Sequence, residues 1–334
     1  MNYVDYCHKL YKLLEKTDFK KVNVDLSNGF VSLISSAAKL ISWDDLKAQY
    51  RREIQETINI KLAFFRSDIE MLRQLKEVSF YEDTMSVYTS LYLFWIWNND
   101  VAFPRDVMDK FVRAIFTGTI GYRLLDMHTD SGFIGKEAIF LGNYMIRSFE
   151  EEFFDVFEPR ETMRIFNKHV RLFTEAEYLE KRHMWKPCPF RWDDAKILGQ
   201  KASPLFSIFE IILRISKVEQ KKSDDLIAGL TYISAGIQMI DDLSDGAADL
   251  ANGIETLAMS DFYEKHGTNS VITNELMQKF LTKDRLLKIY DTAQQMFGSA
   301  REIFTKYDDD MLLLFVEIQN FKLNVLYEAT DEDE

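Results

Sequence analysis

The sequence predicts an all-α protein, and two observations favour that fold class. Only 5 Pro and 13 Gly occur among 334 residues, so residues that interrupt a helix are rare and long elements are expected. Apolar residues recur at the three- and four-residue spacing of a helix face, whereas no six residues alternate convincingly between apolar and polar. We therefore expect a helical bundle with essentially no sheet.

The chain is expected to form one domain. Hydrophobic residues make up 47% of it, which is enough for a large core. No linker rich in Ser, Gly or Pro divides the sequence, so we assign residues 1–328 to a single helical domain and the acidic residues 329–334 to a frayed tail. The 26 Phe residues are numerous enough for some to line an internal apolar cavity.

The helical pattern is divided by a few local breaks. A turn is expected at 98–104, two glycines separate helices at 131–135, and Pro187 and Pro189 place a loop at 185–192. The segments expected to be helical are 2–16, 28–41, 44–76, 80–98, 105–130, 135–156, 160–184, 192–218, 223–250, 258–266, 271–281, 283–307 and 308–328.

Composition excludes several classes of function. A net charge of −13 argues against binding to nucleic acid or to an anionic membrane surface, because both require basic patches. Cys7 and Cys188 form neither a metal-binding spacing nor a disulfide framework, and residues 1–16 contain no secretory apolar segment. The most apolar window, 87–97, is too short and too polar to span a bilayer. We expect a cytoplasmic protein with no stable membrane insertion.

The most informative segment is Gln-Met-Ile-Asp-Asp-Leu-Ser-Asp at residues 238–245, which follows an apolar run. On a helix, Asp241 and Asp242 lie four and three positions before Asp245, and Gln238 lies one turn earlier on the same face. Like charges this close repel, so a bound cation is expected, and ligands that are all oxygen suit Mg²⁺. The alternative interpretation is a solvated acidic helix end.

Two weaker segments could complement it. Asp126 and Asp130 are four residues apart and share a face at the end of a predicted helix, whereas His128 points elsewhere on that helix. Lys201 precedes small residues and Pro204, and we expect this proline to kink its helix, open a pocket and leave the lysine beside it as a cation for a diphosphate. By themselves, Asp126 and Asp130 are more readily explained by chance spacing, and a surface lysine at an incidental kink explains Lys201 equally well.

The order of these segments resembles the trans-isoprenyl diphosphate synthases and class I terpene synthases. Residues 138–145 look like the family segment Ala-x-Leu-x-Gly-Asp-x-Leu, with Asn143 at the usual Asp. Residues 201–206 look like Lys-Thr-x-x-Leu-Phe, and residues 237–245 are close to the second aspartate-rich motif. The resemblance covers about residues 110–265 and is specific mainly at 237–245. Gly142 itself predicts a close approach between helices.

The resemblance implies a helical bundle enclosing an apolar cavity, with two aspartate-rich helix ends at its mouth. These ends would hold Mg²⁺, up to about three ions, on a prenyl diphosphate substrate. The metal ligands implied are Asp126, Asp130, Asp241, Asp242 and Asp245. Lys201 would contact the diphosphate, and Gln238 would face the cavity near the reacting carbon. A homodimer is also typical of the family.

The resemblance favours a terpene synthase that ionises one allylic prenyl diphosphate and cyclises or rearranges the carbocation. Met127 stands where the chain-elongating enzymes have a second Asp, no Arg-Arg pair follows, and residues 1–80 contain no Gly-Lys-x-x-Arg-Pro segment for isopentenyl diphosphate. The alternatives are a prenyltransferase, by elongation or by transfer to an acceptor that is not a diphosphate, and a non-catalytic regulatory relative. The aromatic residues that could stabilise the cation are Trp95, Phe116, Tyr122, Phe149 and Tyr232.

Overall fold

The structure is a computed structural model, and it packs the chain into two compact units, Met1–Ile120 and Gly121–Glu334. The residues that it describes are 92, 95, 99, 101, 105–131, 137–154, 156–181, 191–251, 254, 256–266 and 271–331. Most of the first unit lies outside this set, so a single domain over residues 1–328 stays a prediction. The helices expected at 2–16, 28–41 and 44–76 also lie outside the described residues, as do residues 185–190 of the loop expected at 185–192.

The described part of the chain is all-helical and contains no strand, which confirms the predicted fold class at this level. Its helices are α1 Arg105–Ser131, α2 Glu137–Phe154, α3 Pro159–Lys181, α4 Ala195–Leu198, α5 Ser203–Ile215, α6 Gln220–Ala251, α7 Phe262–His266, α8 Asn274–Phe280, α9 Lys283–Lys306 and α10 Asp310–Asp331. Short 3₁₀ turns occupy Trp192–Asp194 and Gly199–Ala202. Within the described residues, none of the helices combines the length and the apolar character that crossing a membrane requires.

Helix ends follow local chemistry. The hydroxyl of Thr273 accepts a hydrogen bond from the Leu276 amide at the start of α8, and the hydroxyl of Thr282 accepts one from the Arg285 amide at the start of α9. These caps satisfy amides that have no partner within the helix. Because helix ends depend on such local interactions, the predicted and observed bounds of the long helices agree within a few residues.

The predicted helix over residues 192–218 is wrong in detail. The structure divides it into the two 3₁₀ turns, α4 and α5, and α5 begins at Ser203 with Pro204 in its first turn. Proline fits that position because the first amides of a helix have no partner to lose. Pro204 therefore starts a helix instead of kinking one, and Lys201 lies in the turn immediately before it.

Helix α6 lies at the centre of the second unit and packs against α9, α10, α5 and the turn Gly199–Ala202. Its glycines allow bulky rings to approach the backbone. A Cβ at Gly229 would lie 2.4 Å from the Phe304 ring, and a Cβ at Gly236 would lie 2.4 Å from the Phe297 ring. Both phenylalanines belong to α9 and are fully buried, so the α6–α9 contact depends on these two glycines.

The close approach predicted at Gly142 is confirmed. A Cβ at Gly142 of α2 would lie 3.0 Å from the carbonyl oxygen of Gly121 in α1, and a Cβ at Gly121 would lie 2.9 Å from the amide nitrogen of Ile146. The two helices therefore contact each other backbone to backbone at this point. This contact fixes α1 one to two turns before Asp126.

Candidate functional site

Six charged residues from three elements form the ion cluster: Arg123, Asp126, Glu177, Glu180, Lys181 and Lys201. The acidic members lie near the C-terminal ends of α1 and α3. Carboxylates are disfavoured there because the helix dipole places partial negative charge at this end. Cations must therefore compensate them, and the described contacts join each carboxylate to at least two cationic groups.

Glu180 holds both lysines of the ion cluster. Its Oε2 accepts a hydrogen bond of 2.6 Å from Lys201 Nζ and one of 3.1 Å from Lys181 Nζ. The side chains of Glu180 and Lys181 are only 8% and 6% exposed. Charge-assisted hydrogen bonds in such surroundings are stronger than neutral ones. One carboxylate oxygen thus fixes two ammonium groups side by side.

Asp126 is one of the two members of the ion cluster that the sequence predicted, the other being Lys201. Arg123 Nη1, one turn earlier on α1, donates a hydrogen bond to Asp126 Oδ2. The other oxygen, Oδ1, lies 3.6 Å from Lys181 Nζ and 4.0 Å from Lys201 Nζ. Burial alone would raise the pKa of Asp126, but Lys201, Arg123 and Lys181 lower it below its usual range. Asp126 is therefore ionised at neutral pH.

Glu177 contacts both lysines less closely. Its Oε1 lies 3.6 Å from Lys201 Nζ and its Oε2 lies 3.8 Å from Lys181 Nζ, and both distances are longer than a good hydrogen bond. Burial raises the pKa of Glu177 to about 7, with a further contribution from the negative charges of Asp126 and Glu180. Glu177 is thus less firmly ionised than Asp126.

The two lysines differ in their electrostatic surroundings. Burial disfavours the charged form of each, but Glu180, Asp126 and Glu177 raise the pKa of Lys201 well above its usual range. The pKa of Lys181 shifts in the opposite direction, because burial and the neighbouring charge of Lys201 lower it to about 8. The two ammonium groups repel each other, and the carboxylates between them offset that repulsion.

Gly199 determines where Lys201 can lie. A Cβ at Gly199 would be 2.3 Å from the carbonyl oxygen of Thr231 and 2.8 Å from the amide nitrogen of Ala235, both in the backbone of α6. Only glycine permits so close an approach, because the neighbouring atoms are backbone and cannot rotate away. The turn that carries Lys201 is therefore seated directly on α6, the helix of the second acidic motif.

Asp242, from that second motif, is buried and accepts a hydrogen bond of 3.0 Å from the Ala258 amide. Burial raises its pKa to about 7, the negative charge of Glu180 adds to the rise, and the positive charge of Lys201 opposes it. Asp242 therefore lies within electrostatic range of the ion cluster. Asp241, the preceding residue, is exposed, because adjacent helix residues point about 100° apart. Gln238 is half-buried.

Several predicted side chains lie outside the part of the chain that the structure describes. Asp130 continues α1 one turn beyond Asp126, and Asp245 continues α6 beyond Asp242, but only their backbones are described. The same holds for His128. Asn143, which replaces the usual family Asp, is exposed, and its side chain donates to the Ile139 carbonyl on its own helix.

Sequence reasoning missed the residues that α3 contributes, namely Glu177, Glu180 and Lys181. A signal was present, because two glutamates three residues apart at a helix C-terminal end are unfavourable without cations. The signal is weak in sequence alone, since a solvated helix end looks the same. Arg123 was also missed, although its position three residues before Asp126 on the same helix was a readable signal.

The carboxylates of the ion cluster fit a divalent cation. One oxygen each from Asp126, Glu177 and Glu180 can be chosen so that all lie within 4.8 Å of one another. Neighbouring oxygens around an octahedral Mg²⁺ are about 3 Å apart and opposite ones about 4.2 Å, so the three carboxylates would have to move closer together to bind one ion. Lys201, which pairs with Glu177 and Glu180, would compete with a cation for these carboxylates.

A buried polar network ties α5 to α3 next to Lys201. His169 contacts Ser203 Oγ through Nδ1 at 2.7 Å and Glu210 Oε2 through Nε2 at 2.9 Å, and Lys168 Nζ donates to Glu210 at 2.7 Å. Burial lowers the pKa of His169, so the neutral ring donates to Glu210 and accepts from Ser203. Ser203, His169 and Glu210 are almost completely buried, which makes this a structural tie, out of reach of a substrate.

The aromatic residues singled out from sequence have mixed positions. Phe149 is buried in a cluster with Phe153 and Phe166, and Tyr122 packs edge-on against Phe149 and Phe173. Trp95 is buried, Tyr232 is half-buried with Lys196 Nζ 4.3 Å from its ring centre, and the Phe116 side chain lies outside the described residues.

No model of a known protein family matches this chain, and a search of curated proteins also finds no match. The family resemblance therefore rests on the motifs of the sequence. Its consequences for activity have to be argued from the site itself.

Proposed function

We propose that this chain is a Mg²⁺-dependent terpene synthase of the class I type, acting on one allylic prenyl diphosphate. The observation that supports it best is that charged residues from distant segments of the sequence lie close together. Asp126 and Lys201 are 75 residues apart in the sequence, yet their charged atoms lie 4.0 Å apart. The positive charge of Lys201 also acts on Asp242 of the second acidic motif. A mixed site of carboxylates and largely buried ammonium groups suits a metal-bound diphosphate.

The residues of the chain would act as follows. Asp126 and Asp242 hold the metal side of the site, together with the glutamates of α3. Lys201 binds the diphosphate oxygens and stabilises the leaving group, and Gln238 lies on α6 one turn before Asp242. When bound, Mg²⁺ acts as a Lewis acid that neutralises the charge developing on the leaving diphosphate. In this proposal an apolar cavity lined partly by aromatic residues excludes water from the carbocation.

The proposal is tested by incubating the purified protein with Mg²⁺ and geranyl, farnesyl or geranylgeranyl diphosphate. We expect release of diphosphate with at least one substrate, and a hydrocarbon or alcohol product detected by mass spectrometry. Replacing Mg²⁺ by a chelator should abolish the release. The absence of diphosphate release with all three substrates would contradict the enzymatic proposal and favour a non-catalytic relative.

A prenyltransferase is the second candidate, and one observation favours it. The sequence argued against a second diphosphate because cations for it were missing, but Arg123 and Lys181 both lie in the ion cluster. The two candidates are separated by adding isopentenyl diphosphate to the same incubation. A longer prenyl diphosphate would replace our first proposal, whereas an unchanged product would exclude elongation.

A further inference from the structure

Both lysines of the ion cluster are already bound by the chain itself. Lys201 Nζ and Lys181 Nζ donate to the same oxygen of Glu180, at 2.6 and 3.1 Å. Glu177 and Asp126 add weaker ion pairs of 3.6 to 4.0 Å. In this arrangement the ammonium groups face carboxylates, so they are not available to an incoming anion.

An anion that approaches without a metal meets an unfavourable site. It must separate both lysines from Glu180 and then lie beside three carboxylates, Asp126, Glu177 and Glu180, that have lost their lysine partners. Losing a buried, charge-assisted hydrogen bond is costly, and like charges repel at short range. A divalent cation changes the balance, because it can take the carboxylates in place of the ammonium groups.

We propose that Glu180 is a latch that holds Lys181 and Lys201 until a divalent cation binds the carboxylates, after which the two lysines together receive the diphosphate. Lys181 is thereby assigned as a second diphosphate-binding residue, and Glu180 as the residue that makes anion binding depend on metal. This inference rests on the proposed function of the same site. It predicts that metal and diphosphate each strengthen the binding of the other.

The test is the affinity for inorganic pyrophosphate, measured by isothermal titration calorimetry with a chelator and then with Mg²⁺. In the chelator, Glu180→Gln should bind pyrophosphate roughly tenfold more tightly than the wild-type protein, because the lysines are released. With Mg²⁺ the wild-type protein should bind tightly, and Lys181→Gln should bind roughly tenfold more weakly. Glu175→Gln is the matched control, since Glu175 is an exposed residue of the same helix and should change neither affinity.

The wild-type protein supplies a measurement that needs no variant. Its affinity for Mg²⁺ should be at least several-fold higher with pyrophosphate than without it, and equal affinities would overturn the latch. Glu180→Gln with wild-type affinity in the chelator would also overturn it, while tight binding by the wild-type protein with Mg²⁺ would leave the proposed function standing. Metal-free binding by Glu180→Gln, together with no turnover of any prenyl diphosphate by the wild-type protein, would support the latch and contradict the synthase.

Discussion

At the scale of single residues, surroundings decide the charge state of buried acids in this protein. Burial would raise the pKa of Glu210, but hydrogen bonds from His169 and Lys168 lower it to about 2. Asp242 is also buried, accepts a backbone hydrogen bond from Ala258, and has its pKa raised to about 7. Glu210 is thus stabilised as an anion by its partners, whereas the partners of Asp242 only partly offset the cost of its burial, which a bound cation would offset further.

Replacing Glu210 by Gln should destabilise the protein. The variant loses charge-assisted hydrogen bonds with His169 and Lys168, so we expect the free energy of unfolding to fall by roughly 1.5–3 kcal/mol at neutral pH. The folded pKa of about 2 lies below the ordinary 4.5, so this stabilisation is present above about pH 4.5 and is lost as pH falls toward 2.

The measurement is denaturant unfolding of both proteins at several pH values. The difference should be largest near neutral pH and should shrink below about pH 4.5. Glu161→Gln is the control, because its ion pair with Arg164 is exposed and should contribute less than about 1 kcal/mol. A variant as stable as the wild-type protein at neutral pH would mean that the network contributes nothing.

Replacing Asp242 by Asn should have opposite effects on stability and on activity. The folded pKa of about 7 lies above the ordinary 3.8, so the stability that this carboxyl contributes is present below about pH 4 and is lost as pH rises through 7. Asn cannot ionise, and the metal-free variant should therefore have a higher Tm than the wild-type protein above pH 7. Diphosphate release should fall by about 100-fold or more.

Thermal unfolding in a chelator and steady-state assays with Mg²⁺ measure the two effects. Asp291→Asn removes a carboxylate from the exposed face of α9 and should change neither quantity. If the Asp242 variant kept its full activity, the assignment of this residue to the metal side of the site would be wrong.

At the scale of elements, packing against α6 positions the site. The turn Gly199–Ala202 lies against α6 because Gly199 lacks a side chain, and α9 lies against it because Gly229 and Gly236 do. Helix α3 is tied to α5 by the His169 network. The ion cluster thus lies among elements whose relative positions are fixed by backbone contacts and buried hydrogen bonds.

Gly236→Ala should destabilise the α6–α9 contact. The added methyl group would lie 2.4 Å from the buried Phe297 ring, so one of the two must move, at a cost of about 1–3 kcal/mol. Gly298→Ala on α9 is the matched control. No heavy atom lies within 4 Å of the methyl group that it adds, so the higher helix propensity of alanine should stabilise by about 0.5–1 kcal/mol.

Chemical denaturation of both glycine variants tests this pair. The two substitutions are chemically identical, and only the surroundings differ, so opposite signs are expected. Equal changes in the free energy of unfolding would show that the tight contact at Gly236 carries no energetic weight.

At the scale of the whole molecule, a net charge of −13 accompanies a proposed anionic ligand. Long-range repulsion then disfavours a free diphosphate, and the site must compensate locally with metal and lysines. A ligand that binds only the folded state also stabilises the protein by mass action.

Mg²⁺ and pyrophosphate together should raise the Tm more than the sum of their separate effects. At a ligand concentration of about 100 times its Kd, the expected stabilisation is about 2.7 kcal/mol. Differential scanning calorimetry with each ligand alone, with both, and with Mg²⁺ plus sulfate measures it. Additive shifts would mean that metal and anion bind independently, and no shift with both would argue against a diphosphate site.

The positions of the long helices among the described residues, and two residues of the ion cluster, could be predicted from the sequence. Caps, apolar spacing and the scarcity of proline act over a few residues, so the bounds of α1, α6 and α9 were predicted closely. Asp126 and Lys201 were found because they stand in motifs. Glu180 and Lys181 were not found, since their importance depends on which segments they meet in space.

The sequence by itself therefore determined a helical protein with acidic helix ends and a lysine before Pro204, because such features depend on local interactions. Only the tertiary structure decided that both lysines bind one oxygen of Glu180 and that Pro204 begins a helix. Electrostatic partners are set by distances of a few ångströms between remote segments. Those distances depend on close contacts such as Gly199 against α6, which no periodic pattern encodes.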